Sequence, residues 1–446
     1  MKNKLILIFS LLISFAIFSQ ENKQSFSLQE AIDYALENNR TSKNASRDID
    51  AAYKQKWETI ATGLPQLNAG VDYQDFIKQQ IQVIPADAFG GPKGELVAIE
   101  FSVKQNVNAS ATLSQLIFDG SYLVGLQSAK VFLEISKNAK IKTDLEVRKA
   151  VINAYGNVLL VEESLKILER NKTVLEKNLD EITKIFENGL EEEESVEQLK
   201  ITLSGVKSSL NNTRRLKKVA YQMLNMNLGI DIENPTVLTD NLEILTAQNL
   251  NLNFLNTPFS IENTIDYRIA ENDRTSKELL VKLEKSKALP TMSTFLSGGY
   301  LSYSDNFDFL NTDQKYYGFG VFGINLKIPV FSSGLRSAST QRAKINLEKA
   351  KDDLTETEQR LKLQIETAKS DYQFSIEEYA NKKENLNLAE RIEQKNQTKF
   401  FEGIGSSFEL RQAQIQLYTA QQEFLQAMLD VINNKAALET IINEVD

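Results

Sequence analysis

Two long helical stretches constrain this chain more than any other feature. From Asp119 to about Asn188 a pattern of charged and apolar residues runs without a proline, and residues 335 to 402 repeat it. At about 1.5 Å per residue, a helix of roughly 70 residues is about 105 Å long, whereas helices of globular proteins average about 11 to 12 residues. Neither stretch fits inside an ordinary globular core.

Each long stretch ends at a glycine, Gly189 or Gly403, and is followed by a helix with apolar residues at heptad spacing. Such spacing is typical of a coiled-coil seam. The seam residues are Val196, Leu199, Leu203, Val206, Leu210, Ala220 and Leu224 in the first half, and Leu410, Ala413, Leu417, Ala420, Phe424, Ala427 and Val431 in the second. Each of the first five in the second set lies 214 residues after its counterpart. We infer a duplicated unit.

Each half also predicts two strands ahead of its long helix. Alternating segments at 68–77 and 106–118 flank a Gly- and Pro-rich segment that we interpret as a long loop, and residues 291–305 and 316–331 repeat the order. In the last strand one face is apolar and the other polar, which is typical of a membrane-barrel strand and equally of a soluble sandwich strand. The apolar face carries Phe322, Ile324, Leu326 and Ile328; the other carries Gly323, Asn325 and Lys327.

The sequence therefore predicts two repeats behind a leader. The predicted boundaries are a signal peptide at 1–19; a first repeat at 20–228 with a helix, a β-hairpin at 66–118, a long helix at 119–188 and a helix at 192–228; an equatorial connector at 229–258; and a second repeat at 259–446 with a helix, a β-hairpin at 290–331, a long helix at 335–402 and a helix at 405–442. A capping box at Ser27 and Glu30 opens the first helix, which we expect to continue toward Gly63. In each repeat, two shorter helices placed end to end match the length of the long one.

The N-terminus has two lysines before an apolar segment from Leu5 to Phe18, which predicts a cleaved signal peptide rather than a membrane anchor. Its removal leaves 49 basic and 60 acidic residues, a net charge of −11, which disfavours nucleic acid as a partner. The chain has no Cys and no His, so disulfides, Cys or His metal sites and a Ser-His-Asp triad are excluded. The acidic residues are dispersed along helices, and we predict no catalytic residue, metal or cofactor.

Four strands from one chain leave open sheet edges, which closure with other copies would remove. Two copies give eight strands, a number whose interior is filled by side chains, whereas three copies give twelve and leave room for a bore.

The order helix, Leu-Pro, strand, loop, strand, junction, long helix, glycine turn and seam helix, given twice, resembles the TolC-type outer membrane efflux proteins. The residues that carry the resemblance are Leu64-Pro65, Leu289-Pro290, LIFDG at 116–120, IPVFSSG at 328–334, and the Gly189 and Gly403 turns. The resemblance implies a mainly α fold with a transmembrane β portion: a homotrimer whose twelve-stranded β-barrel lies in outer-membrane lipid and continues as a twelve-helix α-barrel in the periplasm.

The same resemblance implies a passive exit duct for drugs, small molecules or proteins, working with a periplasmic adaptor and an inner-membrane transporter, without catalysis. It assigns periplasmic gate positions to Glu409, Gln412 and Ser195, places Gly405 where relatives carry an arginine, and assigns adaptor contact to the hairpin tips at Gly189 and Gly403. It assigns barrel-to-helix junctions to Phe118, Gly120, Pro329, Phe331 and Gly334.

Each of these residues also has a simpler interpretation. Glu409 can be a solvated flank of the coiled coil, the acidic run at 191–194 can satisfy a helix N-terminus, and Gly120 and Gly334 can be turn glycines. For the whole chain, the alternative is a secreted coiled-coil structural protein or adhesin. That alternative accounts for the helices but leaves the duplicated β-hairpins unexplained.

Overall fold

The computed structural model describes residues 24–100, 103–256 and 259–443. The predicted signal peptide at 1–19 lies outside these residues. In the first half the elements are β1 (Gln24–Phe26), α1 (Leu28–Asn38), α2 (Arg40–Ala61), β2 (Gln66–Asp75), β3 (Ile81–Pro85), β4 (Leu96–Glu100), β5 (Gln105–Asp119), α3 (Gly120–Glu187) and α4 (Glu193–Leu228). In the second half they are β6 (Thr236–Leu238), α5 (Leu242–Gln248), α6 (Ile265–Ser286), β7 (Thr291–Ser304), β8 (Tyr317–Lys327), α7 (Leu335–Phe401) and α8 (Ser407–Ile442).

The chain divides into two units, and each takes segments from both halves of the sequence. The unit that contains residues 51–134 and 272–351 holds an antiparallel sheet in the order β2-β5-β7-β8. The strand pair of the first half and the strand pair of the second meet where β5 pairs with β7. One irregularity, between Leu116 and Phe118, interrupts the register near the end of β5.

The other unit, which contains residues 24–50, 135–271 and 352–443, holds the main apolar core. Tyr155 and Tyr372 are fully buried there, together with Leu228 of α4 and Leu438 of α8. A short parallel pair, β1 with β6, and the seven-residue helix α5 lie in this unit. Both fall outside the elements predicted from sequence, because three-residue strands and a helix of about two turns carry too few residues to show a periodicity.

The predicted coiled-coil seams are buried. Every predicted seam residue is buried except Phe424, which is half-buried. The seam of α4 packs with Leu175 and Ile182 of α3 in one cluster, and Leu410 of α8 joins the same cluster. The heptad pattern therefore identified the residues that hold the helical hairpins together.

The first helix is not continuous, and the prediction of one helix from Ser27 toward Gly63 is wrong. The capping box of Ser27 and Glu30 is present, but the helix ends at Asn39, whose φ of −57° and ψ of 135° are extended. The Asn39 side chain donates to the Asn227 carbonyl at 2.7 Å and accepts from the Thr41 N–H at 2.8 Å, so that it both anchors the break and caps the next helix.

Two other boundaries also differ from prediction. The segment between β2 and β5 is not only loop, since it contains the hairpin β3–β4 and a 3₁₀ turn at Ala86–Phe89. The helix predicted to begin at about Ser260 begins at Ile265, after a 3₁₀ turn at Ile261–Asn263. There the Thr264 hydroxyl accepts a hydrogen bond from the Tyr267 N–H at 3.4 Å and so acts as an N-terminal cap.

The two strand-to-helix junctions, predicted to be alike, are different. β5 passes directly into α3, and the Asp119 side chain accepts from the Ser121 N–H at 2.7 Å. β8 stops at Lys327, so Ile328 lies past the strand and residues 328–334 form an irregular segment before α7. Proline lacks an N–H and cannot extend the β ladder beyond Pro329, which explains the difference.

Candidate functional site

One face of the sheet carries an apolar row across all its strands. Leu67 of β2 pairs with Leu113 of β5, which pairs with Leu296 of β7, which pairs with Phe322 of β8. This row therefore crosses all four strands, and its members are 71%, 40%, 56% and 68% exposed in the single chain. Because side chains alternate along a strand, rows two and four residues away share the face. Val71, Ala109 and Tyr300 form one such row and β8 adds Ile324 and Leu326, whereas Gln115 and Thr294 on this face are polar.

The opposite face is mainly polar on β2 and β5 and mixed on β7. The row next to the leucines joins Asn68, Thr112 and Ser297 and ends at Val321 of β8. Thr112 and Ser297 hydroxyl oxygens lie 2.8 Å apart across the β5–β7 pair. An exposed apolar face of this size is costly in water and requires burial against lipid or protein.

Both edges of the sheet are unpaired within the described residues, because β2 and β8 are the outer strands of its order. All ten residues of β2 are exposed, and most of those in β8 are exposed too. Open edges of this length favour pairing with another strand.

The predicted hairpin tips are tight glycine turns. Gly189 follows α3 and Gly403 follows α7, and each has a φ of 76°. That left-handed conformation is one that glycine adopts without steric cost, and the N–H groups of both residues bond back to the helix before them. The two turns also have similar sequences, FENG at 186–189 and FFEG at 400–403.

Glu409, the first predicted gate residue, is part of a capping box at the start of α8. Its Oε2 accepts from the Ser406 N–H at 3.2 Å, and its own N–H donates to the Ser406 Oγ at 3.2 Å. The side chain is exposed. The carboxylate thus has a local structural role, while its exposure leaves a gate role to be tested.

The other two gate candidates differ in their surroundings. Ser195, in the first turn of α4, is buried, and its Oγ lies 2.7 Å from the Oγ of Ser407, the first residue of α8. Gln412 is exposed. Ser195 therefore lies close to the start of α8, where Glu409 also lies. Its contact there is with Ser407 and not with Glu409.

The junction residues fall into two groups. Gly334 has a φ of 83° and is a turn glycine. Gly120 is not one: a side chain there would lie 2.7 Å from Leu289 Cδ1, so close packing explains the glycine. Phe118 is partly exposed, and Phe331 is 85% exposed.

Sequence reasoning missed Arg336, which organises the junction at Pro329. Its Nη1 donates to the Pro329 carbonyl at 2.6 Å, and its Nη2 donates to the Val330 carbonyl at 3.3 Å. A basic residue in the first turn of a helix is unusual because the helix dipole disfavours it there. The position of a basic residue in the first turn of a predicted helix was therefore the feature of the sequence that could have identified Arg336.

Within residues 24–100, 103–256 and 259–443, none of the helices has both the length and the apolar content needed to cross a lipid bilayer.

Comparisons with known proteins agree with this geometry. Residues 261–444 match the model of the family described as outer membrane efflux protein. Over 340 residues the chain is 23% identical to the outer membrane protein TolC of Vibrio cholerae, an alignment that covers 73% of this chain and 70% of TolC. A shorter alignment, 31% identical over 153 residues, pairs 31% of this chain with 40% of the cyclic di-GMP phosphodiesterase PdeB of Borreliella burgdorferi.

Among solved structures, CusC superposes with a TM-score of 0.74 at 18% identity, covering 94% of this chain and 92% of CusC. That likeness concerns the fold, and it confirms the predicted fold class, mainly α with a β portion of TolC type. The PdeB alignment spans under a third of this chain and carries no argument about its activity. Residues 261–444 therefore resemble the outer membrane efflux protein family in sequence, and the described chain shares the TolC-type fold.

Proposed function

We propose that this chain is the exit duct of a tripartite efflux or type I secretion system, a passive channel that carries drugs, small molecules or proteins from the periplasm across the outer membrane. The observation that carries this proposal is the row Leu67, Leu113, Leu296 and Phe322, an exposed apolar row that crosses four strands and is backed by a polar row on the first three. Apolar residues toward lipid and polar residues toward a lumen are the pattern of a membrane channel wall.

The channel is formed by three copies. Each copy offers two open edges, β2 and β8, and pairing β8 of one copy with β2 of the next removes both. Three four-stranded sheets give a closed barrel of twelve strands, which is wide enough for a bore, whereas two copies would give eight strands and a filled interior.

The partners are a periplasmic adaptor and an inner-membrane transporter, which supplies the energy. The Gly189 and Gly403 turns lie at the ends of the two helical hairpins and are the proposed adaptor contacts. Glu409, with Gln412 and Ser195, is the proposed gate, in which three copies of Glu409 form an acidic ring. No reaction is catalysed and no cofactor is needed.

A crosslinking experiment tests the assembly. The chain has no Cys, so cysteines introduced at Leu67 and Phe322 are the only reactive thiols. These two residues lie on opposite edge strands of one sheet, with β5 and β7 between them. We expect a short bifunctional thiol reagent to join copies into a species of three chains and no larger one, in membranes that resist carbonate extraction.

Release of the protein by carbonate, or a single-chain product only, would refute the proposal and favour the secreted coiled-coil alternative. A variant with cysteines at Asn171 and Leu175, both inside a helical hairpin and buried, is the control that should give no crosslinked species. Single-channel recording of the purified trimer in planar bilayers then tests conduction directly.

A further inference from the structure

A row of core residues on α3, which the heptad analysis of α4 and α8 did not include, packs against both of those helices. On α3 the residues Leu168, Asn171, Leu175, Asn178 and Ile182 follow a strict 3-4 spacing, and all are buried or half-buried. Two of the five are asparagines, at positions seven residues apart. Polar residues at such core positions of a coiled coil specify register, at a cost in stability.

The partner helix carries amides with the same spacing. Gln414 and Gln421 of α8 are also seven residues apart, and both are buried. The Asn171 Nδ2 donates to the Gln421 Oε1 at 2.8 Å, a fully buried bond between the two helices. Helices α3 and α8 run in opposite directions, the first toward its glycine turn and the second away from its own. Seven residues nearer the turns, Asn178 of α3 is therefore level with Gln414 of α8.

This second amide pair is not bonded. Asn178 and Gln414 are each 1% exposed. Among the described residues, no hydrogen-bond partner reaches the Asn178 Nδ2 or the Gln414 Oε1, while the Gln414 amide N–H₂ faces the Glu393 carboxyl. The Asn178 Oδ1 does accept from the Gln397 Nε2 of α7, at 3.3 Å. Buried polar atoms in proteins are nearly always satisfied, by protein groups or by ordered water.

The neighbouring groups decide which ligand suits these atoms. Glu393 of α7 lies beside Gln414; burial raises the pKa of its carboxyl, and the Gln414 amide partly offsets that rise. An anion is disfavoured next to this carboxyl, and a metal cation is disfavoured by the two amide N–H₂ groups. Water both donates and accepts, so one molecule can donate to the Gln414 Oε1 while accepting from the Asn178 Nδ2.

We propose that Asn178 and Gln414 form a buried hydration site between α3, α7 and α8. The Asn171 and Gln421 side chains are bonded to each other directly, whereas a water joins the next amide pair toward the turns. A hydrated amide layer separates at lower cost than a bonded or apolar one, because its polar groups are already solvated. The part of α8 nearest the turn is therefore the part that detaches from α3 first.

Only one consequence of this proposal rests on the proposed function. It is that detachment of α8 from α3 accompanies opening of the channel at its periplasmic end. The hydration site itself can be tested on purified full-length protein in detergent, whether or not the protein conducts. A matched pair of variants is available. Asn178→Leu with Gln414→Met replaces the amide pair nearer the glycine turns by apolar residues; this is the lower-layer variant. Asn171→Leu with Gln421→Met removes the bonded amide pair farther from the turns; this is the upper-layer variant.

We expect the lower-layer variant to slow backbone hydrogen exchange in residues 407–418 by on the order of tenfold, since an apolar layer separates from α3 at higher cost than a hydrated one. The upper-layer variant replaces a satisfied bond and should leave exchange in that segment within about threefold of the unmodified protein. Equal exchange in the lower-layer variant and the unmodified protein would overturn the proposal.

Direct observation provides the second arm, in case the lower-layer variant does not fold. A high-resolution structure of the unmodified protein should show density for a water within hydrogen-bond distance of Gln414 Oε1 and Asn178 Nδ2. A direct bond between the two amides, after a change of rotamer, would rule the site out.

Discussion

The hydroxyl of Tyr155 lies 3.0 Å from the Oδ2 of Asp240, in the unit that holds the main apolar core. The same hydroxyl is 2.9 Å from the Phe26 carbonyl of β1, and the same carboxylate accepts from the Leu28 N–H at 2.6 Å. Tyr155 is fully buried. Burial, followed by its hydrogen bond to Asp240, raises the pKa of the Tyr155 hydroxyl, which stays protonated and able to donate.

Tyr155→Phe should therefore destabilise this unit by about 1 to 3 kcal/mol, because Asp240 loses a donor inside the core. The measurement is urea unfolding of the detergent-solubilised protein, followed by circular dichroism. Tyr53→Phe is the control: Tyr53 is 49% exposed, and its loss should leave the midpoint unchanged. Equal midpoints for Tyr155→Phe and the unmodified protein would show that the contact does not contribute.

The apolar face of the sheet yields a prediction about membrane insertion. Val71→Lys places a charge on the face that we assign to lipid and should cost about 2 to 4 kcal/mol if the residue lies near the bilayer midplane. We expect a large loss of folded protein in the outer-membrane fraction. Asn68→Lys, on the opposite face of the same strand, should assemble normally. If the two variants behave alike, the assignment of faces is wrong.

Glu409 requires a variant that separates its charge from its capping role. Glu409→Gln removes the charge but retains an oxygen that can accept from the Ser406 N–H, whereas Glu409→Ala removes both. If three Glu409 side chains form a gate ring, both variants should raise single-channel conductance or weaken block by divalent cations. Only Glu409→Ala should also destabilise the start of α8, by about 1 kcal/mol. Unchanged conductance and block in Glu409→Gln would leave Glu409 with the capping role alone.

A buried ion pair network holds α3 to α8. Glu439 is 3.2 Å from the Arg148 Nη2 and 3.4 Å from the Lys435 Nζ, and all three side chains are largely buried. Glu439→Gln takes the shared carboxylate from two buried cations and should destabilise the protein by about 3 to 5 kcal/mol. Adding Lys435→Met should recover part of that loss in urea unfolding. If the double variant is no more stable than the single one, repulsion between the cations is not the cause.

Glu393 makes stability depend on pH. Burial raises the pKa of its carboxyl above the ordinary value of 4.5, so the folded state binds this proton more tightly than the unfolded state. The favourable contribution is complete below pH 4.5 and is lost as the pH rises through the folded-state pKa. Relative to the unmodified protein, Glu393→Gln should therefore gain stability as the pH increases above that range. If the difference in stability between the two proteins does not change with pH, the pKa of the Glu393 carboxyl is not raised.

Much of this protein could be inferred from the order of its residues. The heptads from Val196 and Leu410, the turns at Gly189 and Gly403, and the alternation in Phe322, Ile324 and Leu326 all depend on local periodicity and backbone conformation. Local sequence expresses both directly. The TolC-type fold class followed from their order and duplication.

Other features could not be inferred, because they depend on partners distant in sequence. The break at Asn39 depends on the Asn227 carbonyl, the amide pair of Asn171 and Gln421 spans 250 residues, and Gly120 is required by Leu289. Sequence alone determined the long helices, the seam helices, the four strands of the main sheet and their repetition, since each arises from neighbours along the chain. Only the tertiary structure decided which strands share the apolar row and which buried amides are bonded, since these contacts exist only once separate elements have packed.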